Sequence, residues 1–309
     1  IGRADEVLVP TLTFVASFQA IAATGATPVP CDIDPVTFTL DWEDARQRIT
    51  PMTRAVMPVH YTGGVGDLDG IYAMADSAGL RVIEDAAHAF GTAVNGRRVG
   101  SFGDVTCFSF DGIKNITSGE GGCVVSDSDE VIDQVRRLRT LGLEESRQAD
   151  PLRGILARFD VREMGWRFHM SNLMAAIGIQ QLRRREEFSS KRQVLARTYD
   201  RLLEDLEMVV SIPHDYKEVV PFLYAVCIQG GHDVPAIRAR LHASGIQTGA
   251  QYEPNHNLTL FGGRDEPPLP VAADLYPKLM TLPLHPDLTV EDVEHICVRL
   301  TEAISATTR

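Results

Sequence analysis

The sequence is short of several things, and each shortage narrows its function. Its five cysteines, Cys31, Cys107, Cys123, Cys227 and Cys297, are scattered and odd in number, with no Cys-x-x-Cys pair. That argues against a disulfide framework and against a zinc site, and it fits a reducing compartment, so a cytoplasmic protein is expected. Cys107 and Cys123 lie in apolar runs and read as small core residues. No apolar run approaches the ~18–20 residues of a membrane-spanning helix, and the opening residues Ile1–Glu6 carry no apolar signal-peptide core. Positive charge is scarce too: 30 Lys and Arg face 42 Asp and Glu, a net charge of -12. An acidic chain is a poor general binder of nucleic acid or anionic membrane, so neither is expected as a partner, and an anionic substrate must meet a local positive site. There is no Gly-x-x-x-x-Gly-Lys-Ser/Thr loop, no His-Glu-x-x-His and no Gly-x-Ser-x-Gly. The cluster Gly63-Gly64-Val65-Gly66 does not open a dinucleotide-binding helix, and no internal repeat or low-complexity tract is present.

What is there is an ordinary globular chain. Its 309 residues are 44% hydrophobic and 23% charged, enough for one large and one smaller domain with a sizeable core. Short β-branched runs predict strands over Glu6–Pro10, Thr27–Ile33, Ala55–Val59, Arg81–Glu84, Val105–Phe110 and Gly122–Ser126. Between them, helical patterns span about Val15–Thr24, Trp42–Ile49, Leu68–Ala78 and Glu130–Leu141, with Gly25, Gly79 and Gly142 placed as C-cap glycines. Apolar strands alternating with helices predict an α/β unit with a mainly parallel sheet, and such sheets place ligand sites at the carboxyl ends of their strands. Residues 143–160 read as an exposed loop. Ser171 to about Leu206 reads as one long helix, with Arg183-Arg184-Arg185-Glu186-Glu187 as a solvated face. From Glu207 a smaller α+β unit is expected: a strand at Phe222–Ile228, helices at Val234–Ser244 and Ala272–Leu279, and a closing helix at Val290–Ile304. The expected division is 1–206 and 207–309.

Two segments carry chemistry. In Val82-Ile83-Glu84-Asp85-Ala86-Ala87-His88-Ala89 a strand ends in a carboxylate, followed by small residues and a histidine. In Cys107-Phe108-Ser109-Phe110-Asp111-Gly112-Ile113-Lys114-Asn115-Ile116-Thr117-Ser118-Gly119-Glu120-Gly121-Gly122 an apolar strand enters a glycine-rich turn with one lysine. Taken singly, each has an ordinary explanation: an Asp after a strand caps a turn or helix, a loop Lys is a solvated charge, and Gly119–Gly122 is a tight turn. Together they match the needs of pyridoxal 5'-phosphate (PLP). That cofactor needs a lysine to bond its aldehyde carbon and a carboxylate opposite to keep its ring nitrogen protonated. A free lysine titrates near ~10.4, so desolvation must depress it before it attacks a carbonyl at neutral pH.

The order Glu-Asp-Ala-Ala-His, then Phe-Ser-Phe-x-x-x-Lys-Asn-Ile-Thr-x-Gly-Glu-Gly-Gly, resembles the DegT/DnrJ/EryC1/StrS family of sugar-nucleotide aminotransferases. Val9–Ala16, Gly25–Val29, Pro58–Tyr61, Gly96–Gly100, Met170–Leu182, Gly245–Gly249 and Leu282–Pro286 corroborate it, so the resemblance runs from residue 6 to near residue 300. It implies a fold-type-I PLP-dependent transferase: a mainly parallel-sheet large domain plus a smaller C-terminal α+β domain, acting as a homodimer. It implies transfer of an amino group, usually from glutamate, to a keto-sugar on a nucleotide. It implies roles as well. Lys114 bonds the cofactor and shuttles the proton. Asp85 pairs with the ring nitrogen, His88 lies on one ring face and Phe14 on the other, and Ser109 holds the phosphate. His169 stands where the family often has Asn or Arg reaching the neighbouring subunit's phosphate; histidine there departs from the pattern. His256 sits where the small domain approaches substrate.

A second departure is at the start. The family's helix and Gly/Thr/Ser loop that hold the cofactor phosphate would precede Glu6, so an N-terminally incomplete chain with weak PLP binding is expected. PLP-dependent sugar dehydratases resemble this scaffold but carry His at the position of Lys114, which disfavours that activity. A catalytically silent relative acting as regulator or dimer partner is the alternative of a different class.

Overall fold

The structure, a computed structural model, describes residues 1–145, 159–262 and 268–307. The chain opens with β1 (Glu6–Pro10), α1 (Val15–Ala23), β2 (Thr27–Cys31), α2 (Trp42–Gln47), β3 (Thr53–Val56), α3 (Leu68–Ala78) and β4 (Arg81–Asp85). A small hairpin, β5 (Ala93–Val94) and β6 (Arg97–Arg98), precedes β7 (Val105–Ser109), β8 (Gly122–Val125) and α4 (Asp129–Leu138). Six strands form one sheet in the order β2-β1-β3-β4-β7-β8. All neighbours are parallel except β8, which runs antiparallel to β7.

Both faces of this sheet are covered. Leu8, Val56 and Val82 pack with Ala45, Ile71 and Met74 on the α2/α3 side. Val7, Val9 and Ala55 pack with Phe18, Ile21 and Phe261 on the α1 side. Strands buried on both faces lose the polar alternation of a half-exposed strand, which is why they read as continuous apolar runs. Each fully buried Leu, Val or Phe contributes ~1.5–3 kcal/mol. Pro28 and Pro30 are tolerated because β2 is an edge strand. Thr27 N–H and Cys31 C=O bond towards β1, so the two prolines turn their nitrogens outward.

The second half begins with an antiparallel ribbon, β9 (Leu143–Glu145) and β10 (Phe159–Val161). The predicted loop over 143–160 is thus strand at both described ends, and 146–158 lie outside the described residues. Then come α5 (Asn172–Arg183), α6 (Arg185–Leu203), β11 (Val209–Ser211), β12 (Tyr224–Ile228), α7 (Val234–Ala243), α8 (Pro270–Leu275), β13 (Leu279–Leu282) and α9 (Val290–Ser305). The antiparallel sheet β11-β12-β13 packs one face against α6, α7 and α9 through Val226, Ile228 and Met280 with Tyr199, Ile237, Leu241 and Leu300. Its other face, Ala225, Cys227 and Leu279, meets Leu12, Ile33, Phe38 and Tyr61 of the first half. This shared core sets the loops at 222–223 and 251–255 over the ends of β1 and β4. Asn255, fully buried, clamps the contact by donating to the carbonyls of Thr11 (3.1 Å) and Thr13 (2.7 Å).

Several boundaries differ from expectation. The long helix over Ser171–Leu206 is two helices broken at Arg184, whose φ of -96° and ψ of 5° leave the helical range. α6 turns Leu195, Tyr199 and Leu203 into the C-terminal core, whereas none of the α5 side chains is buried. The helix predicted over Ala272–Leu279 is α8 plus a 3-10 turn at Tyr276–Lys278, and Leu279 opens β13 instead. β3 closes at Val56, with Val59 joined to Asp85 only by an isolated bridge. Gly25 and Gly79 follow α1 and α3 as caps, but α4 stops at Leu138. Gly142 serves packing instead: a Cβ there would lie 2.2 Å from the Glu163 carbonyl oxygen.

Candidate active site

A cleft of about 570 Å³ opens at the carboxyl ends of the parallel strands. That lies within the ~300–1,000 Å³ usual for small-molecule sites. Its lining brings together Phe14, Asp85, His88, Ser109 and Lys114. Two of the expected site residues lie elsewhere. His256 bonds Thr11 through Nδ1 (2.7 Å to Oγ1) beneath the turn after β1. His169 is exposed in a neighbouring groove beside Arg136, Arg139 and Arg167.

Each side chain is held by its local backbone. Asp85 ends β4, where its carboxylate accepts from the Ser17 hydroxyl (2.7 Å) and from Ala87 N–H (3.1 Å). Lys114 stands in a turn closed by its own N–H to the Asp111 carbonyl (3.1 Å). The base of that loop is tied by Phe110 N–H to Gly121 C=O (2.8 Å) and Ser118 N–H to Phe110 C=O (2.9 Å). Gly121 has φ +148°, and a Cβ there would come within 2.6 Å of Met170 Cε and 2.8 Å of Ser118 Oγ. That is why the lysine is followed by glycines. Ser109 Oγ accepts from Asp111 N–H (3.3 Å) at the mouth of the same loop.

The electrostatics favour a reactive amine. Burial lowers Lys114 from the ordinary lysine value, while Asp85 and Asp111 pull the other way. His88 is driven well below the usual histidine range by burial, then by the charge of Lys114, so it is neutral at pH 7. Its ring lies 4.2 Å from that of Phe222, its Nε2 is 3.2 Å from the Tyr252 hydroxyl, and its buried Nδ1 has no hydrogen-bond partner among the described residues. Tyr252 also meets Phe14, centroid to centroid 5.5 Å. On the other side of β4, fully buried Glu84 is 2.7 Å from His60 Nε2 and accepts from Tyr72 (2.7 Å) and Thr106 (3.1 Å). Burial alone would raise its carboxyl, but these donors outweigh it and hold it below the usual range.

The reading of the sequence missed Thr13, Ser17, Phe222 and Tyr252, all of which line the cleft. A signal existed for the first two: Thr13 and Ser17 are polar at i, i+4 at the start of an apolar helix. Phe222 and Tyr252 come from the distant C-terminal half, and no local pattern marks them.

An amine made more neutral by burial, a carboxylate sharing its cleft at the next strand end, and aromatic side chains along the walls define a PLP-dependent transferase. The donor set fits that cofactor, since the cleft supplies a nucleophile, an anion for a protonated ring nitrogen, and flat faces. The chain belongs to the DegT/DnrJ/EryC1/StrS aminotransferase family, whose sequence model matches residues 1–301. It is therefore an aminotransferase of a PLP-dependent family. It is 34% identical over 307 residues to the dTDP-4-dehydro-2,3,6-trideoxy-D-glucose 4-aminotransferase of Saccharopolyspora spinosa, covering 98% of this chain and 79% of that one. It is 36% identical over 307 residues to the GDP-perosamine synthase of Escherichia coli O157:H7, covering 99% and 80%. Among solved structures it resembles the aminotransferase TlmJ of Streptoalloteichus hindustanus, with a TM-score of 0.90, 32% identity, and coverage of 100% of this chain and 81% of that one. No described helix is long and apolar enough to cross a membrane.

Proposed function

We propose that this chain moves an amino group from glutamate to the keto carbon of a sugar carried on a nucleotide. The observation that carries the reading is the shared cleft of Lys114 and Asp85. The dTDP- and GDP-sugar activities of two relatives support the substrate class. When bound, PLP supplies an aldehyde carbon and an electron-withdrawing ring. In this reading Lys114 would hold the cofactor at that carbon, and its amine would carry the proton to and from the substrate α-carbon as general acid and base. Asp85 would pair with the ring nitrogen, Phe14 and His88 would hold the ring between them, and Ser109 would bind the phosphate. Neutral His88 suits a stacking role because it adds no second charge beside Lys114. His256, bonded to Thr11 outside the cleft, would bear on the substrate side only through that contact.

The working unit in this reading is a homodimer in the cytoplasm. Phe168, Leu173 and Ile177 are 68%, 80% and 50% exposed, apolar side chains that a second copy would cover. His169 lies on the same segment and faces that copy. The division at 206/207 is retained as the proposed domain boundary.

The test is direct. The protein is incubated with PLP and reduced with borohydride, and the modified peptide is mapped; it is then assayed with ¹⁵N-glutamate against a panel of nucleotide-linked keto-sugars. Modification at Lys114 and label on the sugar are expected, both lost in Lys114→Ala. Labelling of the sugar that persists in Lys114→Ala would overturn the reading.

A further inference from the structure

We propose that Ser17 is a positioning residue for Asp85, and that Thr13 sets the hydroxyl of Ser17; this rests on the reading of Asp85 as the partner of the cofactor ring nitrogen. The geometry forces the direction of each bond. In its carboxylate form Asp85 can only accept, so Ser17 Oγ, 2.7 Å from Oδ2, must donate to it. The Ser17 hydroxyl has one hydrogen, so at its contact with Thr13 Oγ1 (3.1 Å) it must accept, and Thr13 donates. Both residues are buried, at 4% and 2% exposure. The carbonyl of Thr13 is pinned by Asn255 at 2.7 Å.

A line of fixed polarity therefore runs from the Thr13 hydroxyl through the Ser17 hydroxyl in the first turn of α1 to the carboxylate, and Asn255 of the C-terminal half separately fixes the backbone of Thr13. Asp85 Oδ1 is set separately by Ala87 N–H at 3.1 Å. With one donor on each oxygen the carboxylate cannot rotate without breaking a bond to a charged group, the stronger kind. The remaining lone pairs then keep a single direction into the cleft. α1 is otherwise apolar in its first turn, Val15-Ala16-Ser17-Phe18, so packing alone does not call for a hydroxyl at 17.

The experiment compares binding of PLP with binding of its 1-deaza analogue, in which carbon replaces the ring nitrogen. Titrations use wild type, Ser17→Ala, Thr13→Val, the double variant and Asp85→Asn, with bound ligand read by absorbance. The expected result is a wild type that prefers PLP. Ser17→Ala should lose about tenfold or more of its PLP affinity, as for a lost bond to a charged group, with little change for the analogue. Thr13→Val should lose less, and the double variant no more than Ser17→Ala alone. Equal losses for both ligands in Ser17→Ala would mean a packing role and overturn the proposal. So would an unchanged preference for PLP in Ser17→Ala while Asp85→Asn abolishes it. If wild type and Asp85→Asn both bind the two ligands alike, the reading of Asp85 itself fails, and the proposal with it.

Discussion

The amine of Lys114 stands 4.4 Å from the centre of the Phe222 ring, a contact between the turn after β7 and the segment just before β12. The contact has two opposed effects. The ring helps bury the amine and so favours its neutral form, while its π face favours the cation by ~0.5–2 kcal/mol. Burial lowers Lys114, while Asp85 and Asp111 raise it. Phe222→Leu keeps most of the burial and removes the π face. It should lower Lys114 further and raise the neutral fraction several-fold at a given pH. Phe222→Ala admits water and should move it back towards the ordinary lysine value. NMR of ¹³C-reductively methylated protein reads both; two variants shifting the same way would sink the explanation.

The loop holding Lys114 depends on a missing side chain. Gly121→Ala places a methyl where Met170 and Ser118 already stand, at a φ of +148°. Strain of this kind costs ~1–3 kcal/mol. The loop should relieve it by shifting, and the rate of borohydride-fixed PLP labelling at Lys114 should fall about tenfold with the far-UV circular dichroism unchanged. An unaltered labelling rate would show that the loop tolerates the methyl in place.

Acid should weaken the fold through His214, whose Nε2 lies 2.9 Å from Thr62 Oγ1 and which burial pushes down to about 4. Its folded value is depressed below the unfolded ~6.5, so its contribution is complete above about pH 6.5 and is lost as pH falls through about 4. The difference between those values corresponds to about 3 kcal/mol at most. His214→Gln keeps a group able to bond Thr62 and removes the titration. Its Tm should fall less than that of wild type between pH 7 and pH 4. Parallel curves for the two proteins would rule His214 out as a source of acid sensitivity.

The apolar surface on α5 should be closed by a second copy. Leu173→Glu puts a charge at a position 80% exposed in the single chain, so it costs the isolated fold little. Sedimentation should show a dimer for wild type and a monomer for the variant. A wild type that stays monomeric at all concentrations would leave this face without its proposed role.

Much of this was legible in the chain because local signals coincided. α3 runs over Leu68–Ala78 as expected, since Asp67 caps its start and Gly79 adopts the left-handed conformation after its end. The placing of Lys114 and Asp85 at strand ends was legible because an apolar strand running into a polar turn marks such an end in a parallel sheet, whereas their proposed roles came from their combination and from the family resemblance. The break at Arg184 was not: five charged residues suit a helix surface, and only the separate destinations of α5 and α6 require the chain to bend there. β13 was hidden in the same way, because Leu279-Met280-Thr281-Leu282 continues a helical pattern and becomes strand only by pairing with β12. Phe222 and Tyr252 reach the cleft through the core shared between the two sheets, which no short window of sequence reports.

The prolines of β2 bear on the behaviour of many molecules together. With Pro28 and Pro30 turned outward, the free rim of the large sheet has no amide hydrogens at alternate positions, so an approaching extended chain cannot zip along it. On that side the molecule is protected against growing into fibrils by stacking sheet on sheet edge, even when it is crowded.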